Sequence, residues 1–66
     1  MSQGTVKTLD ADSGTGTIAQ DEGADLPLRY SDIQEPGDRG LEVGQRVEYQ
    51  VAQGPQGPQA VHVRSV

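Results

Sequence analysis

Residues 45–53 read Gln45-Arg46-Val47-Glu48-Tyr49-Gln50-Val51-Ala52-Gln53. Val47, Tyr49 and Val51 alternate with Arg46, Glu48 and Gln50. A period of two puts the first set on one face of a β-strand and the second on the other. No stretch of the chain repeats apolar residues at three and four over ten positions, so no amphipathic helix competes with this reading.

Similar segments flank it. Residues 59–66 alternate again, with Val61 and Val63 inward and His62 and Arg64 outward. Thr15–Gln20 is rich in β-branched residues, and residues 4–9 form a first strand. Residues 25–30 form a third, in which Leu26 and Leu28 face a core on either side of Pro27. Proline cannot donate to a ladder, which places it at an unpaired or bulged position of a short or bent strand. Asp10-Ala11-Asp12-Ser13-Gly14 and Asp21-Glu22-Gly23-Ala24 have turn chemistry. Ser31-Asp32-Ile33 reads as a short helical turn, residues 34–43 as a polar connection, and the doubled Gln-Gly-Pro of residues 53–58 as a hairpin loop.

Five short strands suit an all-β, five-stranded antiparallel barrel, which closes on itself and so removes free edges. The expected core is Val6, Leu9, Ile18, Leu26, Leu28, Ile33, Val47, Val51, Val61 and Val63. At 66 residues the chain is sized for a single domain, 1–66. Without cysteine, neither a disulfide nor a Cys-based zinc site reinforces it, and a reducing, cytoplasmic setting fits. No run of residues is long and apolar enough for a membrane span, and no signal-peptide pattern opens the sequence. Ten acidic against five basic side chains give a net charge of −5. That balance keeps a small domain soluble and builds no basic patch.

The residues resemble the bacterial cold-shock family. Gly4-Thr5-Val6-Lys7 opens like its members, and Gly14, Gly16 and Ile18 fall in its glycine-flanked aromatic motif. Asp25-Leu26-Pro27-Leu28-Arg29-Tyr30-Ser31 lines up with its Asp-Val-Phe-Val-His-Phe-Ser motif. Ile33-Gln34, Leu41, Glu42, Gly44-Gln45, Val47-Glu48 and Gly57-Pro58-Gln59-Ala60 continue the match. The resemblance implies an OB-type barrel, the cold-shock domain, that binds single-stranded RNA and DNA. In that family outward aromatics stack on successive bases while basic residues meet phosphates.

On this chain the resemblance places the nucleic-acid face at Lys7, Thr8, Thr15, Thr17, Pro27, Arg29, Tyr30 and Asp38. Thr8, Thr15, Thr17, Pro27 and Asp38 stand where the family has aromatics, and Arg29 where it has His. Ser13 and Gln56 occupy positions that many members fill with basic residues. Five stacks at ~1–3 kcal/mol each compare with about 8 kcal/mol in a micromolar complex. Truncation energies do not simply add, yet half of that loss moves affinity toward the millimolar range. Asp10, Asp12, Asp25 and Asp38 are expected near the same face, where they repel phosphate. Lys7 remains to meet a phosphate, and Arg29 to do the same or to stack on a base. Tyr30 is either a surviving platform or a strand-end cover for the barrel mouth.

Other chemistry finds little footing. Asp10-Ala11-Asp12-Ser13-Gly14 lacks the acid, glycine and bidentate glutamate spacing of a calcium loop. His62 is a lone surface histidine with no partner for a metal and no nucleophile to serve. No helix follows Gly14-Thr15-Gly16 to supply its N-terminus, so it is no phosphate loop. Tyr49 packs rather than stacks. The sequence therefore predicts no enzyme, no cofactor and no small-molecule substrate. It predicts a single-strand binder of weak, altered or lost affinity. The alternative is a barrel that has exchanged nucleic acid for a protein partner.

Overall fold

Four antiparallel ladders and one parallel contact close the chain into a barrel of order β1-β2-β3-β5-β4. The computed structural model describes residues 2–34 and 41–66. The strands are β1 (Ser2–Asp10), β2 (Thr15–Gln20), β3 (Leu26–Arg29), β4 (Arg46–Gly54) and β5 (Gly57–Ser65), with one 3-10 turn at Tyr30–Asp32. The five-stranded barrel is borne out, with one departure: β3 meets β5 in parallel, through Leu28 opposite Ala60.

Local chemistry makes the turns. The Asp10 carboxylate accepts the Asp12 N–H at 3.0 Å, and the Asp10 carbonyl accepts the Gly14 N–H at 2.9 Å. Gly14 closes this turn at φ +72°, a conformation glycine adopts without steric cost. The β4–β5 loop is tighter than the six residues expected. Gly54 already pairs with Gly57, leaving only Pro55 and Gln56 between the strands.

The core consists of Val6, Ile18, Leu26, Leu28, Leu41, Val47, Tyr49, Ala60 and Val63, with Leu9 and Ile33 packed half-buried against it. Val51 and Val61, expected inside, are not part of it. Along β4, the ladder to β1 covers only Arg46 to Tyr49, so Val51 lies past the end of that neighbour and is 47% exposed. In β5 the register moves three residues, from Arg64 to Val61, while β4 moves two, from Glu48 to Gln50. The extra residue is a bulge, at which His62 takes φ +54°. The bulge breaks strict alternation, so Val63 and Ala60 both turn inward and Val61 is half-buried.

Pro27 sits opposite Thr17 with no register shift, in a strand of only four residues. The Tyr30 N–H donates to the Gly14 carbonyl at 2.9 Å. Hydrogen-bonded pairs alternate along an antiparallel ladder. Leu28 and Leu26 therefore bond to β2, while the Pro27 nitrogen faces away from it. The proline costs that ladder nothing, because no donor is needed at its position.

Candidate nucleic-acid interface

Residues directly opposite each other in an antiparallel ladder share a face. The register of β1, β2 and β3 thus writes two outward rows. Thr8 pairs with Thr17, and Thr17 with Pro27; Asp10 pairs with Thr15, and Thr15 with Arg29. The row between them, Leu9–Gly16–Leu28, points the other way. Gly16 explains how closely the strands approach: a Cβ there would lie 2.6 Å from the Thr8 carbonyl oxygen. Here a neighbouring strand, not a ligand, makes the close approach.

Lys7 lies beside these rows for a different reason. From Val6 opposite Ile18 to Thr8 opposite Thr17, β1 advances two residues and β2 one. Lys7 is the extra residue of that bulge, exposed and outside the ladder. Its Nζ donates to Asp25 Oδ2 at 2.7 Å.

Tyr30 follows β3 directly, 36% exposed. With Ser13, Gly14, Thr15, Arg29 and Ser31 it lines an open cleft of about 400 Å³. The Ser13 and Thr15 hydroxyls are hydrogen-bonded to each other at 2.7 Å. On the other side of Arg29 a second cleft, about 220 Å³, runs between Thr15, Pro27 and Leu28 and the hairpin residues Pro55, Gln56, Gly57 and Gln59. Arg29 and Thr15 are the two residues that border both clefts. The structure so brings together Lys7, Thr8, Thr15, Thr17, Pro27 and Arg29 on neighbouring strands, with Tyr30 in the turn that follows β3. Asp38 lies outside the described residues.

Most of the positive charge is already engaged. Lys7 pairs with Asp25, Arg46 with Asp21 at 2.7 Å, and Arg64 with Glu48 at 3.1 Å. The hydrogen-bonded Arg46 guanidinium beside Asp21 holds its carboxyl below the ordinary 3.8. Arg29 has no ion-pair partner among the described residues. The sequence pattern missed the hairpin contribution of Pro55 and Gln59, because nothing in residues 53–59 tells which strand the loop leans on. No group of three or more metal-ligating side chains gathers among the described residues. No helix there is long and apolar enough to cross a membrane.

Comparison with known proteins places this geometry. The "'Cold-shock' DNA-binding domain" family matches residues 2–66. "Probable cold shock protein A" of Mycolicibacterium smegmatis is 49% identical, with all of both chains covered. "Major cold shock protein" of Streptococcus pyogenes serotype M1 is 44% identical, over 96% of this chain and 94% of its own. "Cold shock-like protein" of Thermotoga maritima is 42% identical over 97% of each. The solved structure "drosophila Unr CSD456" superposes with a TM-score of 0.81 over 98% of this chain. This chain spans about a quarter (26%) of that one, and at 21% identity the likeness speaks for the fold alone.

The chain belongs to the cold-shock domain family, whose members bind single-stranded nucleic acid.

Proposed function

We propose that this protein is a cytoplasmic single-strand-binding cold-shock domain with a weakened grip, its contacts reduced to the Arg29–Tyr30 end of the β1–β2–β3 face. One observation carries the reading. The two outward rows present Thr8, Thr17 and Pro27, then Asp10, Thr15 and Arg29, with no aromatic ring among them. Threonine keeps the strand while offering no flat surface to a base. What remains beside the rows is Tyr30 as a partial platform and the guanidinium of Arg29, which meets phosphate bidentately or stacks on a base.

The test is a titration of a fluorescein-labelled thymine-rich single strand, followed by polarisation at low salt. A dissociation constant on the order of millimolar is expected from the missing stacks. Sub-micromolar binding would overturn the weakened-grip reading. A flat response at high protein concentration would point instead to the barrel serving a protein partner.

A further inference from the structure

One stretch of strand edge, away from the threonine rows, has no covering neighbour. β1 pairs with β4 only as far as Ser2 opposite Tyr49, and among the described residues no strand runs beside β4 on that side beyond this pair. β4 itself continues to Gly54, held from its other side by β5. The hairpin fixes where its backbone groups point. Gly54 and Gly57 flank a two-residue loop, and the pair flanking such a loop is hydrogen-bonded. Bonded and open pairs then alternate, so Ala52 bonds to Gln59 while Gln53 opposite Pro58 and Val51 opposite Ala60 do not. Pro58, which has no N–H, fits its open position. The N–H and C=O groups of Val51 and Gln53 therefore point out of the sheet, on the side where Val47 and Tyr49 meet β1.

Exposed edges in natural sheets are blunted by lysine, proline or other charges. This one is not: no charged side chain occurs from Tyr49 to Val61, and residues 50–53 hold no proline. Val51 lies on it 47% exposed. Charge limits what approaches. Two copies of the chain, each at −5, repel one another. Where the open edge begins, Ser2 and Tyr49 line a cleft of about 350 Å³ together with Asp21 and Glu22. Arg46 engages Asp21, whereas the exposed Glu22 has no ion-pair partner among the described residues. A cation complements that corner.

We propose that β4 from Val51 to Gln53 is a docking edge for an extended segment of another protein, which adds as an antiparallel strand in line with β1 and ends in lysine or arginine beside Glu22. Main-chain hydrogen bonds to Val51 and Gln53 supply affinity, while an apolar side chain over Val51 and the terminal cation supply selectivity. No residue of the two outward rows takes part. The docking edge is thus independent of the single-strand reading above.

The probe is the synthetic peptide Thr-Val-Thr-Val-Lys-Lys, titrated to millimolar concentration into the isotope-labelled protein and followed by amide chemical shifts and amide exchange. The amides of Val51 and Gln53 should shift saturably and gain protection, while those of Thr8, Thr15, Thr17 and Arg29 stay in place. The peptide ending in Glu-Glu should bind more weakly. Val51→Pro removes an outward N–H that β5 does not use, so it should abolish docking with the barrel intact by thermal unfolding. Glu22→Gln, outside the strands, should weaken the lysine-ended peptide by up to about fivefold and leave the glutamate-ended one no weaker. Binding of the thymine-rich strand should be the same for the parent and both variants. The proposal is overturned if the peptide produces no saturable shift, if the shifts map to the threonine rows, or if an intact Val51→Pro barrel binds like the parent. Protection of Val51 and Gln53 that grows with protein concentration alone would also overturn it, by assigning the edge to a second copy.

Discussion

Arg46 grips Asp21 with both arms of its guanidinium, Nη1 donating to Oδ1 at 2.7 Å and Nη2 to Oδ2 at 2.8 Å. The contact fastens β4 to the residue that follows β2, and the same arginine also reaches Thr5 and Gln3 on β1. One surface side chain thereby spans three strands. Asp21 titrates lower in the folded chain than its ordinary 3.8. As pH falls, the unfolded chain therefore takes up this proton first. The pair's contribution is complete above that ordinary value and disappears as pH drops through the lower folded one. Asp21→Asn should lower the thermal midpoint slightly at neutral pH, and the gap between parent and variant should close under strong acid. High salt should narrow it as well. A gap that persists at pH 2 would show that the pair's charge is not its source.

Tyr49 makes the complementary prediction at high pH. The ring is fully buried, and its hydroxyl reaches the Gln3 carbonyl at 3.3 Å and Gln20 Oε1 at 3.2 Å. Burial, then the negative charge of Asp21, push its phenol above 10.0. As pH rises past that value the unfolded chain ionises first, so stability declines on the alkaline side. Tyr49→Phe should cost about 1 kcal/mol at neutral pH and flatten the alkaline decline. Tyr49→Ala should cost about 3–5 kcal/mol, enough to unfold a barrel of this size. Urea denaturation at neutral and alkaline pH measures both effects.

Gly16 and Gly14 should fail for different reasons. At Gly16 an added Cβ would press on the Thr8 carbonyl oxygen at 2.6 Å and on Leu9 Cδ2 at 3.0 Å. Gly16→Ala should therefore lose about 1–3 kcal/mol by overpacking and disturb the β1–β2 ladder. At Gly14 there is open space but φ is +72°. Gly14→Ala should lose about 1–2 kcal/mol from backbone strain, with the ladder unchanged. Amide exchange of β1 and β2 separates the two cases.

Restoring rings to the outward rows should restore binding. Thr15→Phe and Thr17→Phe each place an aromatic on the exposed face without entering the core. Each stack should add ~1–3 kcal/mol, about 5- to 150-fold in affinity for the thymine-rich strand. If the double variant binds no better than the parent, the missing rings are not what limits affinity.

Much of this was legible in the residues, and the exceptions have local causes. Strand β2 coincides with its sequence reading because β-branched residues and flanking turn chemistry agree there. Val51 and Val61 were misplaced because alternation assumes an uninterrupted two-sided strand. The His62 bulge shifts β5, and β4 outruns β1, and neither event leaves a mark on hydrophobic periodicity. Leu41 and Ala60 were missed for the converse reason: one sits in an aperiodic connection, the other is too small to signal burial. Tyr49 was legible as a packing residue from its spacing to Val47. The threonine rows follow from the resemblance, but the Lys7–Asp25 contact joins residues 18 positions apart across a bulge, and only the folded register reveals it.

The order β1-β2-β3-β5-β4 has a consequence for how the molecule comes into being. The fifth strand of the barrel is inserted between two that precede it in the chain, and its one paired position on β3 is the parallel contact of Leu28 with Ala60. A growing chain that has produced β1 to β4 still presents raw edges at both β3 and β4. The hairpin that carries β5 back along β4 covers both edges at once, so the barrel is open to stray pairing until β5 has docked.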